Sequence, residues 1–297
     1  MRREQGFGAE RWNDPFWHVV RMLADQISAR SRYAEGISPS QIIPVLKSVK
    51  SSAADGLIGY LNRNPENLGQ LSRYWAKRRE VSETLLSLMR SEEEAKGDYI
   101  AMSDRALESY GVRIEGYHRS SKVLVNTVDA VLNEECAKAK VDVNTSPQSR
   151  AAIISDEHIW VSPRRLDGAM PALLNPIALW EIKEYWGVTN GGSKMSDAIY
   201  ELQLVGVELR TFEDEVGIHV NHYAIIDGRD QWNSRKSDLR RAVDLLYSGL
   251  LDELIVGREV LTEWPRVVRE CCALTRSSYR VPQPPSAAHD TLFPGLQ

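Results

Sequence analysis

Cysteine is scarce in this chain: 297 residues hold three, Cys136, Cys271 and Cys272. They are too few and too oddly placed for a disulfide framework or a zinc site, and a reducing cytoplasm is the expected compartment. Long apolar runs are also missing, and no stretch approaches the roughly 20 residues that span a bilayer. The opening MRREQGFGAERW has a basic start with no apolar segment behind it, so a secretory leader is not expected. No nucleophile elbow offers a starting point for Ser/His/Asp chemistry. Gly191-Gly192-Ser193-Lys194 lacks P-loop spacing and reads as a flexible loop whose Lys194 could touch a phosphate. His219 and His222 lie three apart in a strand-like run, so they point to opposite faces and cannot chelate together.

What is present is ordinary globular material. Hydrophobic residues make up 42% and charged residues 26%, enough for a sizeable core. The net charge of −4 is unevenly spread. The first 150 residues carry 22 Lys and Arg against 20 Asp and Glu, and the remainder 15 against 21. An acidic C-terminal half is compatible with metal-binding carboxylates and equally with a solvated surface.

The first half reads as helical. Asp14 and Pro15 form a helix start, Ser38-Pro39 forms another, and PENLGQLSRYWAKRREVSETLLSLMRSEEEAKG is one long helix or two. An amphipathic stretch follows from Ser120. Arg73, Tyr74, Trp75, Lys77, Arg78 and Arg79 form a basic aromatic cluster suited to nucleic-acid contact, or a solvated helix face with Trp75 in the core. Near residues 143–150 (VNTSPQSR) the pattern changes. AAIIS, HIWVS, IALWEIKEYW, GIHVNHYAIIDG and LDELIVGREV read as strands, with helices between the later ones. This predicts an α/β fold: a mixed sheet flanked by helices, preceded by a mainly helical region. The expected divisions are a helical region at 1–142, an α/β core at 143–280 and an irregular tail at 281–297.

ALWEIKEYWG, at 178–187, puts charge into a strand that otherwise looks buried. Glu181 and Lys183 are two apart and share a face, while Ile182 points the other way. An edge strand with one solvated face explains this cheaply. The alternative begins fourteen residues upstream, at Asp167-Gly168. Asp-Gly is a common turn dipeptide, but the segment AMPALLNPI between the two places, apolar and loop-like with Pro171 and Pro176, is able to return the chain so that Asp167 lies beside Glu181. Converging carboxylates repel and raise each other's pKa. A divalent cation with hard oxygen ligands, such as Mg²⁺, gives them a reason to meet.

Asp167-Gly168 followed by Glu181-Ile182-Lys183 at the end of an apolar strand resembles the PD-(D/E)xK nuclease superfamily, which includes many type II restriction endonucleases. The resemblance covers residues of about 150–262. Leu166 stands where the family name has Pro, and Asp156 and Glu157 remain alternatives for the first acid. The resemblance implies a restriction-endonuclease-like core in the order helix, three strands, helix, strand. It implies Mg²⁺ held by Asp167, Glu181 and the main-chain carbonyl of Ile182, with Lys183 acting on the attacking water and the transition state. Gln203, on the following helix, resembles the polar accessory residue of several branches. Glu134 or Glu135, on the helix before the first strand, resembles the extra metal ligand of others. The implied partners are double-stranded DNA, a second copy of the chain in a homodimer, and a cognate methyltransferase acting on the same site, as in phage defence. A nonspecific or partner-activated anti-phage or repair nuclease of the same fold, and a non-catalytic helical interaction protein, are the competing expectations.

Overall fold

Asp14 caps the first helix as its position predicts: its carboxylate accepts from the Phe16 N–H at 2.7 Å. In the computed structural model, residues 1–9, 11–27, 36–110, 122–145, 147–155, 157–186 and 192–278 are described. Six helices come first: α1 (Pro15–Gln26), α2 (Pro39–Lys47), α3 (Ser52–Arg63), α4 (Glu66–Leu88), α5 (Glu92–Tyr110) and α6 (Val123–Ala139). The long helical stretch is therefore two helices. Ser91 and Glu94 divide it, the Ser91 N–H donating to the Glu94 carboxylate and the Glu94 N–H to the Ser91 hydroxyl, the reciprocal pair that starts a helix.

The strands follow. β1 (Ala152–Ile154) and β2 (Ile159–Val161) form a separate antiparallel hairpin, whereas β3 (Gly168–Met170), β4 (Ala178–Glu184), β5 (Asn221–Asp227) and β6 (Glu253–Val256) form a four-stranded mixed sheet in that order. β3 pairs antiparallel with β4, and β4–β5–β6 are parallel. β3 lies in the segment that reads as a loop. Gly168, Ala169 and Met170 pair with Trp180, Leu179 and Ala178, and Pro171, with no N–H to donate, follows directly. The remaining helices are α7 (Gly192–Val216), α8 (Arg229–Ser234), α9 (Lys236–Tyr247) and α10 (Glu259–Ser278). The fold is thus α/β, a mixed sheet flanked by helices, with a mainly helical N-terminal region.

The two faces of the sheet bury different partners, as strand alternation requires. Trp180, Tyr223, Ile225 and Ile255 pack under α6 and α10. On the opposite face, Ala224, Ile226, Leu254 and Val256 share one core with α9 and with Trp17, Leu46, Tyr74 and Leu85 of α1, α2 and α4. Leu179 and Ala169 meet Val205, Leu209 and Phe212 of α7 and Trp160 of the hairpin. The expected division at 142/143 therefore cuts through shared cores. α6 lies before it yet covers the sheet, and α1–α4 have their core in common with the strands. The expected tail at 281–297 lies outside the described residues. Arg90, between α4 and α5, is fully buried with Asp227 at the end of β5. Its main-chain N–H and its Nε each donate to the carboxylate at 2.8 Å, which pins the helical region to the end of the central strands.

Candidate active site

β4 is an inner strand, flanked by β3 and β5, and its charged residues are not on a solvated edge. Glu181 is 1% exposed and Lys183 7%. Both share the face of Leu179, toward α7. Asp167 immediately precedes β3, at an exposed bend, beside the register that sets Gly168 opposite Trp180. The Asp167 N–H continues the ladder to the Trp180 carbonyl at 3.2 Å. The Asp167 carboxylate also accepts the Ile182 N–H at 2.7 Å. A strand residue aims its N–H and C=O to the same side, so the Ile182 carbonyl faces the flank where Asp167 stands.

Lys183 Nζ donates to Glu181 Oε2 at 3.0 Å and to Glu201 Oε2, on α7, at 2.8 Å. Arg164 donates to the same Glu201 oxygen. Its Nη1 lies 3.5 Å from Glu181 Oε1, within ion-pair range but without a hydrogen bond, and among the described residues Glu181 Oε1 has no hydrogen-bond partner. Burial pushes the Glu181 carboxyl up to about 7. Lys183 and Arg164 pull it back, and the charge of Asp167 adds to the rise. Burial also works against the Lys183 ammonium, but the Glu181 charge and the hydrogen bonds to Glu201 and Glu181 outweigh it, and Lys183 stays charged above its usual range. Glu201, half-buried, is held below the usual carboxylate range because Lys183 and Arg164 overcome its desolvation. On α6, Asp129 is pushed up to about 6, first by burial and then by the charge of Asp167.

Three of the residues singled out in the sequence thus come together: Asp167, Glu181 and Lys183, with Ile182 between the last two. Gln203 does not join them. It lines a cavity of about 200 Å³ among α1, α7 and α9, with Trp17 and Asp244. Two residues along a helix turn the side chain by about 200°, so Glu201 and Gln203 face opposite ways, and it is Glu201 that reaches Lys183. A signal for this existed. Glu201 lies four residues before Val205, at the head of the stripe (Val205, Leu209, Phe212) that packs on Leu179. Glu134 and Glu135 also point elsewhere, to Lys138 and, for Glu135, Arg269. Asp129, about one and a half turns earlier on the same helix, is the acid that feels the charge of Asp167. Glu157 is exposed at the hairpin turn, and Asp156 lies outside the described residues.

The basic aromatic cluster of α4 is largely spent inside the fold. Tyr74 and Trp75 are buried. Arg78 pairs with Asp244 of α9 through two hydrogen bonds at 2.6 and 2.7 Å, while Lys77 binds Glu4 and Glu80. His222 is buried against the Leu250 carbonyl and His219 sits between Glu213 and Asp252, so both are structural. Lys194 is exposed, and its carbonyl accepts from the Tyr185 hydroxyl at 3.4 Å. Gly191 lies outside the described residues.

Among the described residues no group of three or more His, Cys, Asp or Glu side chains stands at metal-holding spacing. A cation here would rely on two carboxylates, a main-chain carbonyl and water. That set fits a hard divalent ion, and the buried Glu181 Oε1, which takes no hydrogen bond among the described residues and feels the charge of Asp167, is the kind of atom such an ion satisfies. A family model described as Domain of unknown function (DUF7687) matches residues 90–271. No curated protein and no solved structure matches the chain.

Proposed function

The chain belongs to that family of unknown function, so its chemistry has to be read from its own residues, and we propose that it is a Mg²⁺-dependent deoxyribonuclease hydrolysing phosphodiester bonds of double-stranded DNA, as type II restriction endonucleases do. The observation that carries this reading is buried Glu181 and Lys183 side by side on one face of an inner strand, with the Asp167 carboxylate held on the Ile182 N–H between them and its charge felt at Glu181. It supports the resemblance to the PD-(D/E)xK nucleases, which rests on the same residues.

Asp167, Glu181 and the Ile182 carbonyl would hold the metal. When bound, such an ion lowers the pKa of a coordinated water and neutralises charge developing on the phosphate. The chain supplies the rest. The Ile182 N–H holds the Asp167 carboxylate in place, and Lys183 does the same for Glu181. Lys183, kept charged by its two carboxylate partners, is a fixed positive charge for the phosphate oxygens in the transition state, not a neutral base. The surrounding Leu179, Val205 and Leu209 are buried, which strengthens every charge interaction inside. Cutting both strands calls for two such sites, so a cytoplasmic homodimer is part of the proposal, and light scattering of the purified chain in solution tests it. A strictly monomeric chain on DNA would remove that part.

A second reading, a nonspecific or partner-activated nuclease of the same fold, draws support from the burial of Tyr74, Trp75 and Arg78, which withdraws the best recognition patch of the helical region. Digestion of plasmid and phage DNA with Mg²⁺ separates the readings, with discrete bands for a sequence-specific enzyme and a smear for a nonspecific one. Lys183→Ala should lose cleavage by about 10²–10³-fold or more, at any Mg²⁺ concentration, with DNA binding in Ca²⁺ weakened by no more than one phosphate contact among the many a duplex makes. Glu181→Ala should also lose cleavage, with partial recovery at high Mg²⁺. Cleavage by Lys183→Ala at the parental rate would sink the nuclease reading.

A further inference from the structure

One oxygen, Glu201 Oε2, takes hydrogen bonds from two cations, the Lys183 ammonium at 2.8 Å and the Arg164 guanidinium. An ammonium and a guanidinium converging on one anionic oxygen is the donor set that suits a phosphate oxygen. Two carboxylates, Glu181 and Glu201, face the two cations, a third, Asp167, acts on Glu181 through its charge, and both cations are already committed. A phosphate arriving with Glu201 in place would add charge to a site with an excess of negative charge. Arriving in its stead, the phosphate would leave the balance as it is.

The three carboxylates are not equally able to leave. Glu181 is 1% exposed on an inner strand, and Asp167 is tied to the Ile182 N–H. The Glu201 side chain is 38% exposed, so a change of rotamer carries its carboxylate into water without moving the helix. Arg164, at 35% exposure, stands at the water-facing side and lies three residues before Asp167. We infer that Arg164 and Lys183 form a phosphate-binding subsite, and that Glu201 fills it in the free chain as an internal stand-in which the substrate's phosphate must displace. This rests on reading the cluster as a phosphodiester site, and it adds a residue that holds the site shut and a cation, Arg164, that the nuclease pattern does not name.

The test is calorimetric titration of the full chain with inorganic phosphate, without divalent cation. Glu201→Ala is expected to bind phosphate about ten-fold more tightly than the parent, with Glu201→Gln between them. Adding Arg164→Gln to either variant should remove the gain. Glu215→Gln, which takes the same charge from an exposed position farther along α7, should leave the affinity at the parental value. Equal affinities in the parent and both Glu201 variants, a gain that survives Arg164→Gln, or the same gain from Glu215→Gln would each overturn the inference. Phosphate binding is read without cleavage, so the two proposals fail separately. A chain that shows this pattern but cuts no DNA keeps the subsite and loses the nuclease. A chain that cuts DNA, with phosphate affinity unmoved by Glu201→Ala, keeps the nuclease and loses the subsite.

Discussion

His222 sits fully buried in β5, with Nδ1 3.0 Å from the Leu250 carbonyl and, among the described residues, no partner for Nε2. A carbonyl only accepts, so Nδ1 carries the proton and the ring is neutral. Burial brings its pKa down to about 4, below the roughly 6.5 of an unfolded histidine. Between those values the unfolded chain binds the extra proton. The neutral ring's contribution is therefore complete above pH 6.5 and is lost as pH falls toward 4, by up to ~3 kcal/mol. His222→Asn keeps a donor for Leu250 and does not titrate. Urea unfolding of both proteins between pH 7.5 and 4 should show a steeper acid loss in the parent, by about that amount. Superimposable acid limbs would exonerate His222. Asp252, whose carboxyl is held below its usual range by His219 and Arg210 despite burial, adds a loss at lower pH in both proteins.

At the scale of elements, the position of Asp167 depends on β3, which depends on Gly168. A Cβ at Gly168 would lie 1.9 Å from the Trp180 ring. That ring has no room to yield, being buried and edge-on to Trp264 at 5.6 Å between centroids. Asp-Gly reads as a turn in the sequence, but the glycine is required by a close approach across the ladder. Gly168→Ala should force β3 away from β4, costing about 1–3 kcal/mol in stability and moving Asp167 off its partner. Cleavage should then fall further than the lost stability explains, measured at a temperature where both proteins are folded. Full activity in a destabilised Gly168→Ala would mean that β3 does not set the acid.

At the scale of the molecule, the family match begins at Arg90, whereas the core does not. Trp17, Leu46, Tyr74 and Leu85 are buried in one cluster with Ala224, Ile226, Leu254 and Val256 of the sheet, and Arg78 pairs with Asp244 across the boundary. Each such apolar side chain contributes about 1.5–3 kcal/mol by burial, against a net stability of about 5–15 kcal/mol for a whole domain. A fragment of residues 90–278 is therefore expected to lack a cooperative thermal transition by circular dichroism, where the full chain has one. A cooperatively folding fragment would show that the N-terminal helices are an appendage.

Periodicity and capping residues by themselves determined the helical character of the first half, the shift to strands after residue 143, and the shared face of Glu181 and Lys183. These are properties of phase within one element, set by the 3.6- and 2-residue repeats. Tertiary structure alone decided what each phase meets. It made a strand of Gly168–Met170, where an apolar loop is expected, and that strand brings Asp167 onto the Ile182 N–H. It brought Glu201 instead of Gln203 to Lys183, Asp129 instead of Glu134 or Glu135 toward Asp167, and turned the basic face of α4 inward onto Asp244. The reason is physical. Which side of a helix touches a strand depends on docking angle and on contacts far apart in the chain, and none of those leaves a trace in local residue spacing.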